Sequence, residues 1–176
     1  FRVPGDRIVA GTYLACVMAA GGEGVLTGIC PGEMETVFHV LGSMGAEIEE
    51  YDTGVKVCMK GRPRSVSLKT SPFPGFPTDL QSPILSLLSI GSGTGQILET
   101  VFEGRFATAE QLKKMGAQIR IDEKAAVVTG VYPLTGCKVE ATDLRGGAAL
   151  VAAGLSASGE TTIDHCHHIF RGYEDI

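Results

Sequence analysis

The chain repeats itself at an interval of about 70 residues. The segments LGSMGAEIEEY (41–51) and LKKMGAQIRID (112–122) share Leu-x-x-Met-Gly-Ala-x-Ile. Each is preceded by an apolar run that ends in glycines, and a third such run, ALVAAGLSASGE, occupies residues 149–160. Self-similarity at a fixed period indicates one supersecondary unit that is copied along the chain.

Each unit reads as strand, helix, strand, helix, strand, strand. In the second unit we predict strands near 65–70 and 96–101, helices near 79–90 and 108–115, and a hairpin over 117–130. The first helix of each unit is apolar nearly all round, which is typical of a buried helix. The sequence therefore predicts an α/β lobe of βαβαββ repeats with pseudo-threefold symmetry, with helices inside and sheets outside. The units fall at about 1–61, 62–132 and 133–176, and the third is incomplete.

Local signals set the expected helix ends. Thr78 or Asp79 is a candidate N-cap, because a short oxygen-bearing side chain accepts hydrogen bonds from the free amides of a first turn. Pro83 falls within that turn, where its missing N–H costs least. Gly45 and Gly116 fit left-handed positions at helix C-termini.

Composition excludes several classes of function. The 176 residues carry a net charge of −5 and no basic run, which argues against nucleic-acid binding. The sequence has no apolar stretch of membrane-spanning length and no signal peptide, so we expect no membrane association. Five irregularly spaced cysteines predict reduced thiols in a cytosolic protein.

Unlike charged residues occupy equivalent places in the second and third units. An offset of 66 residues pairs Asp79 with Arg145 at the first helix and Arg105 with Arg171 after the second strand. Arginine forks bind phosphate or carboxylate, and helix N-termini add partial positive charge. The pattern predicts an anionic small-molecule site in which Asp79 binds a hydroxyl or acts as a general base. The alternative is that these are solvated charges or surface ion pairs, although the proline-rich approach to Asp79 favours a role for that residue.

Two motifs suggest other chemistry. His165 to His168 (HCHH) resembles a zinc or nickel site, but on a strand alternate side chains point to opposite faces, so at most two would converge. The GSGTG segment (91–95) resembles a phosphate loop but lacks the lysine and helix start that follow such loops. We interpret it as a helix-to-strand turn.

Several motifs, in order and at matching spacings, resemble the UDP-N-acetylglucosamine enolpyruvyl transferase (1-carboxyvinyltransferase) family. The motifs are VPGDRIVAGTYL, SPFPGFPTDLQ, ETVFEGRF, LKKMGAQI, ATDLRGGAALVAAGL and HIFRGYEDI. The resemblance covers essentially the whole chain. The PGFPTD segment distinguishes it from the sister 3-phosphoshikimate 1-carboxyvinyltransferases, which share the fold.

The resemblance implies a two-lobed enzyme of the bacterial cytoplasm that serves peptidoglycan synthesis, and hence cell shape and division. Enolpyruvate would pass from phosphoenolpyruvate to the 3-hydroxyl of UDP-N-acetylglucosamine through a tetrahedral intermediate, with release of phosphate and without a metal or organic cofactor. The implied site comprises Thr78 and Asp79 at the sugar, with Asp79 as candidate base, the Val101 backbone at the nucleotide sugar, and Arg105, Arg145 and Arg171 around phosphoenolpyruvate.

The resemblance also implies what this chain lacks. The family's reactive loop and some substrate-binding residues lie on a second lobe that has no counterpart here. We therefore expect a chain that begins inside a strand at Phe1, stops before its last elements and is inactive alone. Asp6 and Arg7 are expected to serve the crossing between lobes. A 3-phosphoshikimate-type enzyme and a non-catalytic anion-binding lobe remain the alternatives.

Overall fold

The computed structural model describes Val3 and residues 5–176, so the strand expected at Phe1 falls largely outside the described residues. The elements follow the predicted repeat. The first unit contains α1 (Arg7–Ala20), β1 (Gly22–Thr27), α2 (Glu35–Ser43), β2 (Glu47–Tyr51) and β3 (Gly54–Met59). The second contains β4 (Ser67–Lys69), α3 (Gln81–Ile90), β5 (Thr94–Leu98), α4 (Ala107–Lys114), β6 (Gln118–Asp122) and β7 (Ala125–Thr129). The third contains β8 (Leu134–Thr135), β9 (Lys138–Glu140), α5 (Leu144–Leu155), β10 (Ala157–Ser158) and β11 (Thr162–Asp164).

The helix-end predictions are confirmed except at one N-terminus. Gly45 and Gly116 have φ of 107° and 93°, the left-handed conformation that glycine adopts at low cost, and Pro83 lies in the first turn of α3. The N-cap prediction for Thr78 and Asp79 is wrong. A short 3₁₀ turn, Thr78–Leu80, leads into α3, and neither residue caps the helix. Their side chains instead bind residues distant in sequence.

The core is built around the three apolar helices α1, α3 and α5. Every residue of α3 is buried, which confirms the buried-helix prediction. Leu80, just before α3, packs against Gly11 of α1, where a Cβ atom would come within 2.5 Å of a Leu80 methyl. Close approach of helices commonly requires small residues at the crossing. The fit brings the N-terminal turns of α1 and α3 together.

The sheets form the outside of the lobe. The first is antiparallel in the order β1-β3-β2. The second has the order β4-β5-β7-β6, with β4 parallel to β5 and the other pairs antiparallel. In the third unit, β10 and β11 pair in parallel with β8 and β9. This arrangement confirms the fold class: α/β, with helices inside and sheets outside.

The HCHH segment is not on a strand, so that premise was wrong. Strand β11 ends at Asp164, His165 takes a left-handed φ of 59°, and a 3₁₀ helix follows over Cys166–Arg171. The rings of His167 and His168 are tilted by 38° with their centroids 4.1 Å apart. Within residues 5–176 and Val3, no three His, Cys, Asp or Glu side chains converge on a possible metal position.

The five cysteines are free thiols, as predicted. Burial raises the pKa of Cys16 to about 11, whereas Cys30 is exposed. None of the helices in the described part of the chain is long and apolar enough to span a membrane.

Candidate active site

An ion pair stands at the start of α3. The Arg105 guanidinium donates from Nη2 to Asp79 Oδ1 at 2.6 Å and from Nη1 to the Thr78 hydroxyl at 3.0 Å. Both charged side chains are partly exposed, at 29% for Arg105 and 41% for Asp79. The guanidinium carbon of Arg105 lies over the Phe102 ring, 5.0 Å from the ring centroid. A ligand can therefore reach the pair without prior rearrangement of the fold.

A buried carboxylate supports this pair from behind. Glu99 directly follows β5 and is 1% exposed. Its Oε2 accepts from the Thr78 hydroxyl at 2.8 Å, and its Oε1 accepts from Thr70 Oγ1 and Val101 N–H, both at 2.8 Å, and from Phe102 N–H at 3.1 Å. Burial alone would raise the pKa of Glu99, but these hydrogen bonds outweigh it and lower the pKa below its ordinary value.

Arg145 is held by a different set of contacts, at the start of α5. Its Nη1 donates to the Tyr173 hydroxyl at 2.9 Å, and that hydroxyl is 2.8 Å from Thr12 Oγ1 of α1. Asp143 caps α5 by accepting from the N–H groups of Arg145 and Gly146. Since Thr12 lies in the second turn of α1, these bonds bring the N-terminal half of α1 next to the start of α5.

The N-terminal turns of all three central helices thus lie at one end of the lobe. Partial positive charge from helix dipoles accumulates there, and negatively charged groups are stabilised. One cleft at this end is lined by Asp79, Arg105, Asp143 and the loop at Phe102. The cleft connects the start of α3 with the start of α5.

The predicted site residues fall into two groups. Thr78, Asp79, Val101 and Arg105 form one connected cluster around Glu99. Arg145 lies on the neighbouring helix start. Arg171 is exposed at the end of the 3₁₀ helix Cys166–Arg171, two residues before Tyr173. The structure gives no direct contact between Arg171 and the other charged site residues within its described part.

The structure also shows the local contacts of Val101, Asp6 and Arg7. The Val101 N–H donates to Glu99 Oε1 at 2.8 Å, and the contact predicted between the Val101 backbone and the nucleotide sugar stays a prediction. Asp6 is the N-cap of α1, accepting from Ile8 and Val9 N–H at 2.7 and 3.2 Å. The guanidinium carbon of Arg7 lies 5.1 Å from the Phe73 ring centroid, against the proline-rich loop.

Sequence reasoning missed Glu99, Asp143 and Tyr173. Asp143 precedes an apolar helix by one residue and carries a visible capping signal. Glu99 has no charged counterpart at either repeat offset, since Gly28 and His165 occupy those places. Its role depends on long-range contacts that the sequence pattern does not show.

Comparisons with known proteins show the family of the chain. The family model described as EPSP synthase (3-phosphoshikimate 1-carboxyvinyltransferase) matches residues 1–176. UDP-N-acetylglucosamine 1-carboxyvinyltransferase 3 of Caldanaerobacter subterraneus subsp. tengcongensis is 46% identical over 96% of this chain and 40% of its own length. UDP-N-acetylglucosamine 1-carboxyvinyltransferase of Desulfofundulus thermocisternus is 46% identical over 100% of this chain and 72% of its own length.

A solved structure shows the same fold. The enolpyruvyl transferase NikO from Streptomyces tendae matches with a TM-score of 0.88 and 29% identity, over 98% of this chain and 41% of that protein. The chain spans 40–42% of the length of several of the curated relatives that it matches. On this evidence the chain belongs to the EPSP synthase family of carboxyvinyltransferases.

Proposed function

We propose that this chain is one lobe of an enzyme that transfers enolpyruvate from phosphoenolpyruvate to the 3-hydroxyl of UDP-N-acetylglucosamine. The relatives that carry the corresponding name are 44–46% identical over nearly the whole chain. The observation that carries the proposal is the Asp79–Arg105 pair at an accessible helix N-terminus. The pair combines a carboxylate that can bind a substrate hydroxyl with a guanidinium that can bind a substrate phosphate or carboxylate.

The chemistry divides between these groups. Asp79 Oδ1 is bound by Arg105, while Oδ2 has no hydrogen-bond partner among the described residues. We assign Oδ2 to accept the proton of the sugar 3-hydroxyl as its oxygen bonds to C2 of phosphoenolpyruvate. A proton added at C3 completes the tetrahedral phospholactoyl intermediate. Loss of a C3 proton and cleavage of the bond between C2 and the phosphate oxygen then release phosphate and restore the C2–C3 double bond, with the sugar oxygen still bonded to C2.

The arginines would bind the negatively charged groups of phosphoenolpyruvate during these steps. Phosphoenolpyruvate brings a phosphate and a carboxylate, and both retain negative charge throughout. Arg105, Arg145 and Arg171 would hold these groups. Hydrogen bonds already fix Arg105 and Arg145 in place, and guanidinium groups held in this way stabilise anions without reorganising. Thr78 and the Val101 backbone would orient the sugar. The second lobe would close over this end and supply the remaining groups, and the product would enter peptidoglycan synthesis.

Phosphate release by the full-length protein tests the proposal. We expect release from phosphoenolpyruvate that depends on UDP-N-acetylglucosamine and not on shikimate 3-phosphate. The family model bears the name of the shikimate enzyme, so that acceptor is the second candidate. Release with shikimate 3-phosphate alone would overturn the assignment of acceptor. Binding of phosphoenolpyruvate without turnover of either acceptor would favour a non-catalytic anion-binding lobe.

A further inference from the structure

One buried charged group takes no part in the chemistry assigned above. Glu99 is 1% exposed, and its carboxylate has no ion-pair partner among the described residues. An unpaired buried charge is costly unless hydrogen bonds replace its hydration. Four donors do so here: the hydroxyls of Thr70 and Thr78 and the N–H groups of Val101 and Phe102.

The ionised carboxylate sets the direction of a hydroxyl. Thr78 has one hydroxyl hydrogen, and a carboxylate can only accept, so that hydrogen points to Glu99 Oε2. The oxygen lone pairs of Thr78 are then free to accept from Arg105 Nη1 at 3.0 Å. A hydroxyl turned the other way would present its hydrogen to the guanidinium and repel it.

The same carboxylate fixes the loop on the other side of Arg105. The two N–H groups bound to Oε1 belong to Val101 and Phe102, and the Phe102 ring packs beside the guanidinium. Glu99 thus controls two of the contacts that aim Arg105 at Asp79. The third contact of Arg105 is the ion pair with Asp79, and it depends on the orientation that the other two contacts give the guanidinium.

We propose that Glu99 is a positioning residue, which acts through the Thr78 hydroxyl to hold the Arg105 guanidinium against Asp79. The inference rests on the proposed function for its kinetic readout. Glu99 itself is buried behind Thr78 and does not reach the cleft.

The test is Glu99→Gln in the full-length protein, with phosphate release as the assay. The substitution preserves size, but its amide nitrogen donates and turns the Thr78 hydroxyl toward Arg105. We expect kcat/KM for phosphoenolpyruvate to fall about 10- to 100-fold, the range for loss of a hydrogen bond to a charged group. The matched control is Glu110→Gln on α4, which removes an exposed carboxylate paired with Lys113 and should leave the rate unchanged.

A double-mutant cycle separates positioning from a merely structural effect. If Glu99 acts through the hydroxyl, Thr78→Val should lower kcat/KM for phosphoenolpyruvate by a similar factor. The double variant with Glu99→Gln and Thr78→Val should then have the same kcat/KM as Thr78→Val alone. Thr78→Ser, which keeps the hydroxyl, should recover most of the rate. Multiplicative losses in the double variant, or a Glu99→Gln rate equal to wild type, would overturn the proposal.

Three further outcomes are also decisive. If Glu99→Gln does not fold, the Thr78 variants decide through kcat/KM for phosphoenolpyruvate at saturating UDP-N-acetylglucosamine, which separates the relay to Arg105 from the role of Thr78 at the sugar. A low value in Thr78→Val with recovery in Thr78→Ser supports the relay, and a wild-type value in Thr78→Val refutes it. A wild-type protein that releases no phosphate with UDP-N-acetylglucosamine overturns the proposed function and this inference together. An active wild type with unaffected variants overturns the inference alone.

Discussion

At the scale of single residues, the site depends on a carboxylate that is paired on one oxygen and open on the other. The ion pair between Asp79 and Arg105 is partly exposed, so its contribution to folding is small, below about 1 kcal/mol. Its contribution to turnover is expected to be much larger, because a positioned base accelerates proton transfer. Catalysis and stability can therefore be separated at this position.

Asp79→Ala should lower kcat by about 100- to 10,000-fold, the range expected for loss of a general base. Circular dichroism and the unfolding midpoint should remain close to wild type, since Asp79 caps no helix and is not buried. Steady-state phosphate release in the full-length protein measures the effect. A rate within a few-fold of wild type would remove Asp79 from the proposed mechanism.

Arg171 tests the assignment of roles among the arginines. Its side chain is exposed at the end of a 3₁₀ helix, and we place it at phosphoenolpyruvate. Arg171→Ala should lower kcat/KM for phosphoenolpyruvate about tenfold or more, as for a lost charge-assisted hydrogen bond. Binding of UDP-N-acetylglucosamine, measured by calorimetry, should change little.

Arg120→Ala is the control for that experiment, because Arg120 is an exposed arginine on strand β6 of the second sheet. It should leave both quantities unchanged. The opposite pattern in Arg171→Ala, with nucleotide-sugar binding weakened more than use of phosphoenolpyruvate, would show that the roles are misassigned.

Glu99 should also affect how the free energy of unfolding changes at acidic pH. Hydrogen bonds hold its pKa in the folded protein below the ordinary value of 4.5. A carboxyl group with a lowered pKa in the folded state adds to the free energy of unfolding at pH values above 4.5. This contribution is lost as the pH falls through the folded-state pKa. Glu99→Gln should therefore be less stable than wild type at pH 7 and should lose less stability on acidification. Urea unfolding at a series of pH values measures the free energy of unfolding of both proteins. An equal loss of this free energy on acidification in wild type and Glu99→Gln would contradict the prediction.

At the scale of elements, two helical glycines should respond in opposite directions to the same substitution. A Cβ atom on Gly11 of α1 would overlap the buried Leu80 side chain, whereas a Cβ atom on Gly42 of α2 meets nothing within 4 Å. Gly11→Ala should destabilise the fold by about 1–3 kcal/mol through overpacking. Gly42→Ala should stabilise it by about 0.5–1 kcal/mol through helix propensity.

Denaturant midpoints of the two glycine variants check this prediction. Because Leu80 adjoins Asp79, Gly11→Ala should also lower turnover, and Gly42→Ala should not. Equal stability changes in the two variants would mean that the contact between α1 and the turn before α3 is looser than the structure indicates.

The repeat pattern predicted which elements exist and where the charged residues sit on them. Comparison of the second and third units at an offset of 66 residues placed Asp79 and Arg145 at helix starts, because copied elements share their register. The same comparison could not find Glu99, whose partners Thr70 and Thr78 belong to other segments and meet it only in the folded chain. The N-cap prediction failed for the same reason: Glu99 takes the Thr78 hydroxyl and Arg105 takes the Asp79 carboxylate.

At the scale of the whole molecule, the question is whether this lobe can act by itself. The chain spans 40–42% of the length of several of the curated relatives. Its candidate site lies at one end, where the cleft beside Asp79 and Arg105 remains open to solvent. The proposed addition and elimination would both require proton transfer at C3 of phosphoenolpyruvate, and we assign no described group to that step. Water also weakens the electrostatic stabilisation that an enclosed site would provide.

We therefore expect the isolated chain to release no phosphate from phosphoenolpyruvate and UDP-N-acetylglucosamine under conditions where the full-length protein does. Weak binding of phosphoenolpyruvate should persist, because Arg105 and Arg145 are held by contacts within this lobe alone. Calorimetry with Arg145→Ala as the matched variant distinguishes site binding from nonspecific attraction, since that variant should lose the heat of binding. Turnover by the isolated chain would show that C3 protonation needs nothing from a second lobe, and the division of labour between lobes proposed here would then be wrong.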